Sequence, residues 1–210
     1  MISKFFGSLF LFAFAAICLI ALDHEGRQGA FAASLGIELN RAQSTGAAHE
    51  TLLACDQMLN GQSYQHFRYG LLAAQRDQCL RQAEVILKRR PTQGYAWYIA
   101  ALTLSFAGRE QEAERALMVS QAVTPNESWL AARRLRVYLD FLGYERSSQI
   151  EGFWDDAEAG LQFALSQRWL SAAYVQHPGF RERFEPILKR SSGMKRDAFL
   201  EKVQNLLQVL

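Results

Sequence analysis

Residues 91–125 read PTQGYAWYIAALTLSFAGREQEAERALMVSQAVTP, and their punctuation decides the fold. Pro91 and Pro125 stand 34 residues apart, each just after an apolar helical stretch. Ahead of Pro91 run Leu80, Ala83, Val85, Ile86 and Leu87, followed by Lys88-Arg89-Arg90. Cations in a last turn suit the helix dipole, and a proline just beyond stops the helix. Between the prolines the sequence predicts a helix around Tyr95 to Ala107, a turn at Gly108-Arg109 and a helix from Glu110 to Val123. A helix pair returning at this period reads as stacked hairpins, each too small to bury its apolar face alone. From Ala47 onward no alternating strand pattern occurs, so the expected fold class is all-α.

Within this stretch Trp97, Ala100, Ala101, Leu104, Gly108, Ala113, Leu117 and Pro125 occupy a recurring set of positions. The pattern resembles a tetratricopeptide repeat, whose order is Trp-x-x-Leu-Gly-x-x-Tyr, a turn glycine, Ala-x-x-x-Phe and a closing proline. Trp97, Gly108, Ala113 and Pro125 match in type, and Ala101 keeps a small residue where helices approach closely. Ala100, Leu104 and Leu117 depart in identity. Projected backwards, the phase makes Pro91 the close of a weaker repeat from about Asn60, with Cys79 in the place of Ala113. Projected forwards, Ser128 to Leu142 is a first helix. The pattern then lapses in a loop over Gly143 to Ser148, and the next helix starts near Gly152.

The resemblance implies a short right-handed α-solenoid at 47–142 and a capping helical region at 143–210. It also implies a concave groove lined by the first helix of each pair. The phase assigns to that groove Tyr95, Tyr98, Leu102 and Phe106 from the clear repeat, Tyr64, Arg68 and Leu71 from the weak one, and Trp129 and Arg136 from the broken one. Tyr, Trp and Arg are the residue types enriched at interface hot spots. Trp97, Leu104 and Leu117 are expected in the core. Bacterial proteins of this fold serve in cytochrome maturation, pilus assembly and polysaccharide export. The expectation carried forward is a scaffold or adaptor for another envelope or membrane protein, beside polysaccharide synthesis or export. A module binding a glycan or lipid in an aromatic-lined groove is the alternative.

The amino-terminal 22 residues have a different character. After Lys4 comes Phe5 to Leu22, an uncharged run with five phenylalanines, ended by Asp23, His24 and Glu25. As a helix it would span roughly 27 Å, enough to cross a bilayer's hydrocarbon core. A cleaved signal would need a small-residue site soon after. The nearest, Ala30-Phe31-Ala32, lies beyond the charges, and bulky Ile17 before Cys18 argues against lipidation. The favoured reading is therefore a single-pass inner-membrane anchor at 1–22 and a spacer at 23–46. Lys4 places the body outside the cytoplasm, in a periplasm. Secretion after cleavage is the alternative. Cys55 and Cys79 could pair in an oxidising compartment, but the residues themselves favour two small buried thiols.

The rest of the chain is expected to be helical. It includes Trp169 to Val175, Phe180 to Leu188 interrupted by Pro186, and a terminal amphipathic helix from Asp197. No catalytic, cofactor or metal site is expected. His24, His49, His66 and His177 lack ligand spacing, and no phosphate loop or nucleophile elbow occurs. The pairs Asp155-Asp156 and Glu110/Glu114 read as helix-start or solvated residues. A net charge of +2 gives no reason to expect nucleic acid. Arg133, Arg134 and Arg136, with Lys189-Arg190 and Lys195-Arg196, read as solvated basic faces, and lipid headgroups or an anionic polymer are their alternative ligands. Enzymatic chemistry, were it present, would centre on Arg133 to Asp140.

Overall fold

The structure, a computed structural model, describes residues 45–61 and 69–208. The expected anchor, the spacer up to residue 44, and the groove residues Tyr64 and Arg68 lie outside them, and the helix expected from Ala47 starts at Thr45. Among the described residues every regular element is helical, and no helix is long and apolar enough to cross a membrane. The elements are α1 (Thr45–Gly61), α2 (Tyr69–Arg89), α3 (Gly94–Phe106), α4 (Glu110–Val123) and α5 (Ser128–Arg136). A π-helical segment (Val137–Leu142) continues α5, and then come α6 (Tyr144–Ser147), α7 (Phe153–Gly160), α8 (Ala164–Gln176), α9 (Pro178–Arg190) and α10 (Gly193–Leu207). The described residues divide into two units between Gln78 and Cys79.

In the first unit, α1 buries Ala48, Leu52, Cys55 and Leu59, one helical stripe. Helix α2 runs unbroken through Ala74, where a weak repeat in phase with Gly108 would need its turn. The segment there, Ala73-Ala74-Gln75-Arg76, is made of strong helix formers. The expected weak repeat is therefore not a helix pair over α2. Cys55 and Cys79 are buried as foreseen, but both are disulfide-bonded rather than free.

In the second unit α3 packs on α4, α5 on α7, and α8 on both α9 and α10, while α5 also meets α3 and α8. Past Gly143, where the sequence pattern lapses, helices still pack on one another, but α5–α7 and α8–α10 each skip a helix and, of these pairs, only α8–α9 joins consecutive ones. The α3–α4 turn is set by Gly108, at φ +70°. Its amide donates to Ser105 O and that of Arg109 to Leu104 O, a Schellman closure needing a left-handed residue. At the hairpin's open end the Ser120 hydroxyl donates to Gly94 O at 2.8 Å. A Cβ on Gly94 would sit 2.1 Å from Thr124 Oγ1, so only glycine lets these helices meet there.

Arg134 departs most from its expected place. It is not on a solvated face but fully buried, and Asp156 of α7 is buried with it. Nε and Nη2 donate to the two Asp156 oxygens at 2.6 and 2.5 Å. Nη1 lies 3.4 Å from Ser120 Oγ and from Thr124 Oγ1, at the last turn of α4. One guanidinium thus ties three helices together. Burial raises the Asp156 carboxyl to about 6, against the hydrogen bonds and charge of Arg134, which lower it. Glu110 and Glu114 are likewise engaged, by Arg146 of α6 at 2.6 and 3.0 Å.

Aromatic rings carry the core onward. Tyr138 meets Phe153 at 5.3 Å, Phe153 meets Trp154 at 5.0 Å, and Trp154 meets Phe180 at 5.4 Å. Phe180 meets Phe184 at 5.0 Å, and Phe184 meets Phe199 of α10 at 5.5 Å. Pro178 opens α9, where its missing N–H costs nothing. Pro186 sits inside α9 without ending it, contrary to the expected interruption. Both it and Glu182, whose carbonyl loses its partner, are exposed, while Phe184, Ile187 and Leu188 are buried. Burial of that apolar face outweighs the lost hydrogen bond. Helix α10 starts at Gly193, earlier than Asp197, because Ser192 O accepts from the amides of Lys195 and Arg196.

Two outcomes are expected in urea unfolding. Asp156→Asn leaves the Arg134 charge buried without its counter-ion and lowers stability by about 3–5 kcal/mol, much of it regained when Arg134→Met and Asp156→Leu are combined. Pro186→Ala raises stability by about 1–3 kcal/mol, because it restores a helix hydrogen bond.

Candidate interaction face

The residues assigned to a groove divide by burial. Tyr95 is 4% exposed and Tyr98 and Leu102 are fully covered, so these three are interior residues rather than open anchors. The Leu71 side chain is outside the described residues. Phe106, Trp129 and Arg136 are half-buried and reachable. The reason lies in α3 itself, GYAWYIAALTLSF, which has no charged residue on any face. With no charge to hold a side of it in water, α3 is covered from Gly94 to Leu104 except at Trp97, and Phe106 stays reachable as the last residue of the helix.

The reachable residues belong to one stripe. Trp129, Arg133, Arg136 and Asp140 follow one another at helical spacing along α5 and its π-helical continuation. The Arg133 guanidinium lies 5.1 Å from the centre of the Trp129 ring, and the Trp129 indole donates to Glu127 at 2.6 Å. Tyr95 of α3 meets the same ring edge-on at 5.2 Å. Further along, Arg136 approaches Asp140 at 3.6 Å and lies 6.0 Å from the Phe141 ring. Phe141 packs on Phe106 of α3 at 4.6 Å, and Trp169 of α8 donates to Asp140 at 2.9 Å. The stripe is therefore bordered by α3 on one side and α8 on the other. Partial burial raises the Asp140 carboxyl above the usual carboxylate range, while Trp169, Arg136 and Arg168 pull it down.

Sequence reasoning did not place Phe141 or Trp169 at this face, and named Asp140 only as the end of the polar segment from Arg133. The signal was present as a continuation of the Trp129–Arg133–Arg136 spacing, but the π-helical segment displaces residues after Val137 from ideal helical phase. Beneath the stripe the Tyr138 hydroxyl is buried, with no hydrogen-bond partner among the described residues. Burial, and next the Asp156 charge, push its pKa upward.

The repeat-defining residues have structural roles. Ala101 and Ala113 are fully buried where helices touch, Cys79 is buried, and Pro91 and Pro125 lie exposed just beyond α2 and α4. Leu104 and Leu117 are buried as expected. Trp97 is not a core residue. It is half-buried, its indole donates to Pro91 O at 2.7 Å, and its ring lines a groove of about 570 Å³ with Leu80, Leu87, Leu104, Ala116 and Val119. Among the described residues no group of three or more His, Cys, Asp or Glu is placed to hold a metal ion.

Compared with protein families, curated proteins and solved structures, the chain matches none.

The division by burial has a measurable consequence. Tyr98→Ala lowers stability by about 3–5 kcal/mol as a cavity opens in the core, whereas Arg136→Ala costs less than about 1 kcal/mol because its ion pair is partly solvated. Thermal and urea unfolding of the two variants check this.

Proposed function

We propose that this chain is a helical-repeat scaffold of tetratricopeptide type, a membrane-anchored adaptor that holds another envelope protein on its first-helix face. The observation that carries the reading is the stripe of Trp129, Arg133 and Arg136, bordered by Phe106 and Trp169. It places half-exposed aromatic rings and guanidinium groups side by side on α5 and on α3 and α8, which pack against it. Such residues are hot-spot types: the aromatic rings bury large area with few rotatable bonds, and the arginine forks give directed, multidentate hydrogen bonding. The buried Arg134–Asp156 pair holds the helix under the stripe, so the stripe presents a preformed surface.

The repeat reading is supported by Trp97, Gly108, Ala113 and Pro125 in phase, and by helix pairing along α3–α4, α5–α7 and α8–α9. The anchor reading is supported by the uncharged run from Phe5 to Leu22. Disulfide-bonded Cys55 and Cys79 fit a body in an oxidising compartment. A place beside polysaccharide synthesis or export belongs to this proposal through the resemblance alone.

The test is site-directed photo-crosslinking of the full chain in native membranes, with the photoreactive residue at Arg136 or, as a control, at Glu112 on α4. A discrete protein adduct at 136, absent at 112 and lost with Trp129→Ala, is the expected result. The Trp129→Ala change costs such a complex about 2 kcal/mol. Equal adducts from both positions, or no protein adduct together with a co-purifying sugar or lipid, overturns the adaptor reading.

A further inference from the structure

The corner between α9 and α10 reads Lys189-Arg190-Ser191-Ser192-Gly193-Met194-Lys195-Arg196, four cations around one methionine. Met194 is 85% exposed, more than the other large exposed apolar residues Leu207 at 57% and Met118 at 37%. Nothing in the fold requires a methionine to stand in solvent there. Ser192 supplies the carbonyl that begins α10, and Phe199 and Val203 are the residues that bury its apolar side.

The charges around it are only partly answered. Arg190 reaches Glu158 at 3.4 Å, with the two side chains 62% and 55% exposed. Arg196 reaches Asp197 at 3.6 Å, also in the open. Solvated pairs of this kind contribute little and exchange readily. Among the described residues neither the Lys189 nor the Lys195 ammonium has an ion-pair or hydrogen-bond partner. Counting Glu158 and Asp197 against the four cations leaves two positive charges in excess, and the amino-terminal end of α10 adds the positive pole of its dipole. Glu201, one turn further along α10, is exposed beyond this tip.

We infer that this corner docks on the surface of an anionic lipid bilayer, the cations meeting headgroup phosphates while the Met194 side chain enters the interfacial layer. Charge complementarity selects the occupant. An anionic leaflet attracts clustered lysine and arginine, and an apolar side chain among them gains by leaving water. The inference uses neither the α5 stripe nor the repeat phase.

The test uses the full chain with Met194→Cys in a Cys18→Ser background, labelled with an environment-sensitive fluorophore. Cys55 and Cys79 are disulfide-bonded and do not take the label. The labelled chain is reconstituted in phosphatidylcholine vesicles, with or without about one-third phosphatidylglycerol, where a clustered basic segment is attracted only to the charged surface. The expected result is a blue shift, and quenching by brominated lipid, in the anionic vesicles alone. High salt abolishes both. Lys189→Gln and Lys195→Gln each lower the ratio of docked to free label about fivefold. An aqueous emission in anionic vesicles, or an equal shift in uncharged ones, overturns the inference. A response to soluble polyglutamate without one to vesicles also overturns it, and reassigns the corner to an acidic protein.

Discussion

A charge that cannot leave the interior organises the second unit. Arg134 is fully buried, and no arrangement that separates it from Asp156 is tolerable without solvent reaching one or both groups. The pair fixes α5 against α7, and the third guanidinium nitrogen sets both against the last turn of α4. Apolar packing alone would allow these short helices to slide or rotate by small amounts. A bidentate pair has one good geometry, so register between the helices is set by it. Close contact at Gly160, where a Cβ would come 2.3 Å from Leu135 Cδ1, has the same restricting effect on α5 and α7.

Much of the fold could be read from the sequence where local chemistry and tertiary packing agree. Gly108 and the two prolines mark real helix ends, because a left-handed closure and a missing N–H act within a few residues. Elsewhere burial overrode the local signal. Pro186 was readable as a break, yet the apolar residues on both sides of it keep α9 intact. Arg134 could not be told from Arg133 and Arg136 by type, since its burial depends on a partner 22 residues away. The absence of a turn in α2 is legible in Ala73-Ala74-Gln75-Arg76, strong helix formers at the point where the repeat phase needs a turn.

The candidate face was legible in part. Phase put Tyr95, Tyr98 and Leu102 beside Phe106, Trp129 and Arg136, and it gave no means of separating buried from reachable members. The separating feature is position: Tyr95, Tyr98 and Leu102 lie in the covered body of α3, whereas Phe106 is its last residue and Trp129 and Arg136 lie on α5. The change to π-helical winding after Arg136 then brings Phe141 to Phe106 and Asp140 to Trp169. That winding depends on tertiary contacts and carries no short-range signature.

The uncharged character of α3 also bears on how the chain reaches its native state. Until it is covered, a thirteen-residue segment rich in aromatic and aliphatic side chains is open to self-association. Its first covering partner, α4, follows after a turn of three residues, so closing the hairpin costs little loop entropy. Early formation of this local pair would shield the segment long before distant helices arrive. The glycine that permits the tight turn thereby limits how long this uncharged segment stays unprotected.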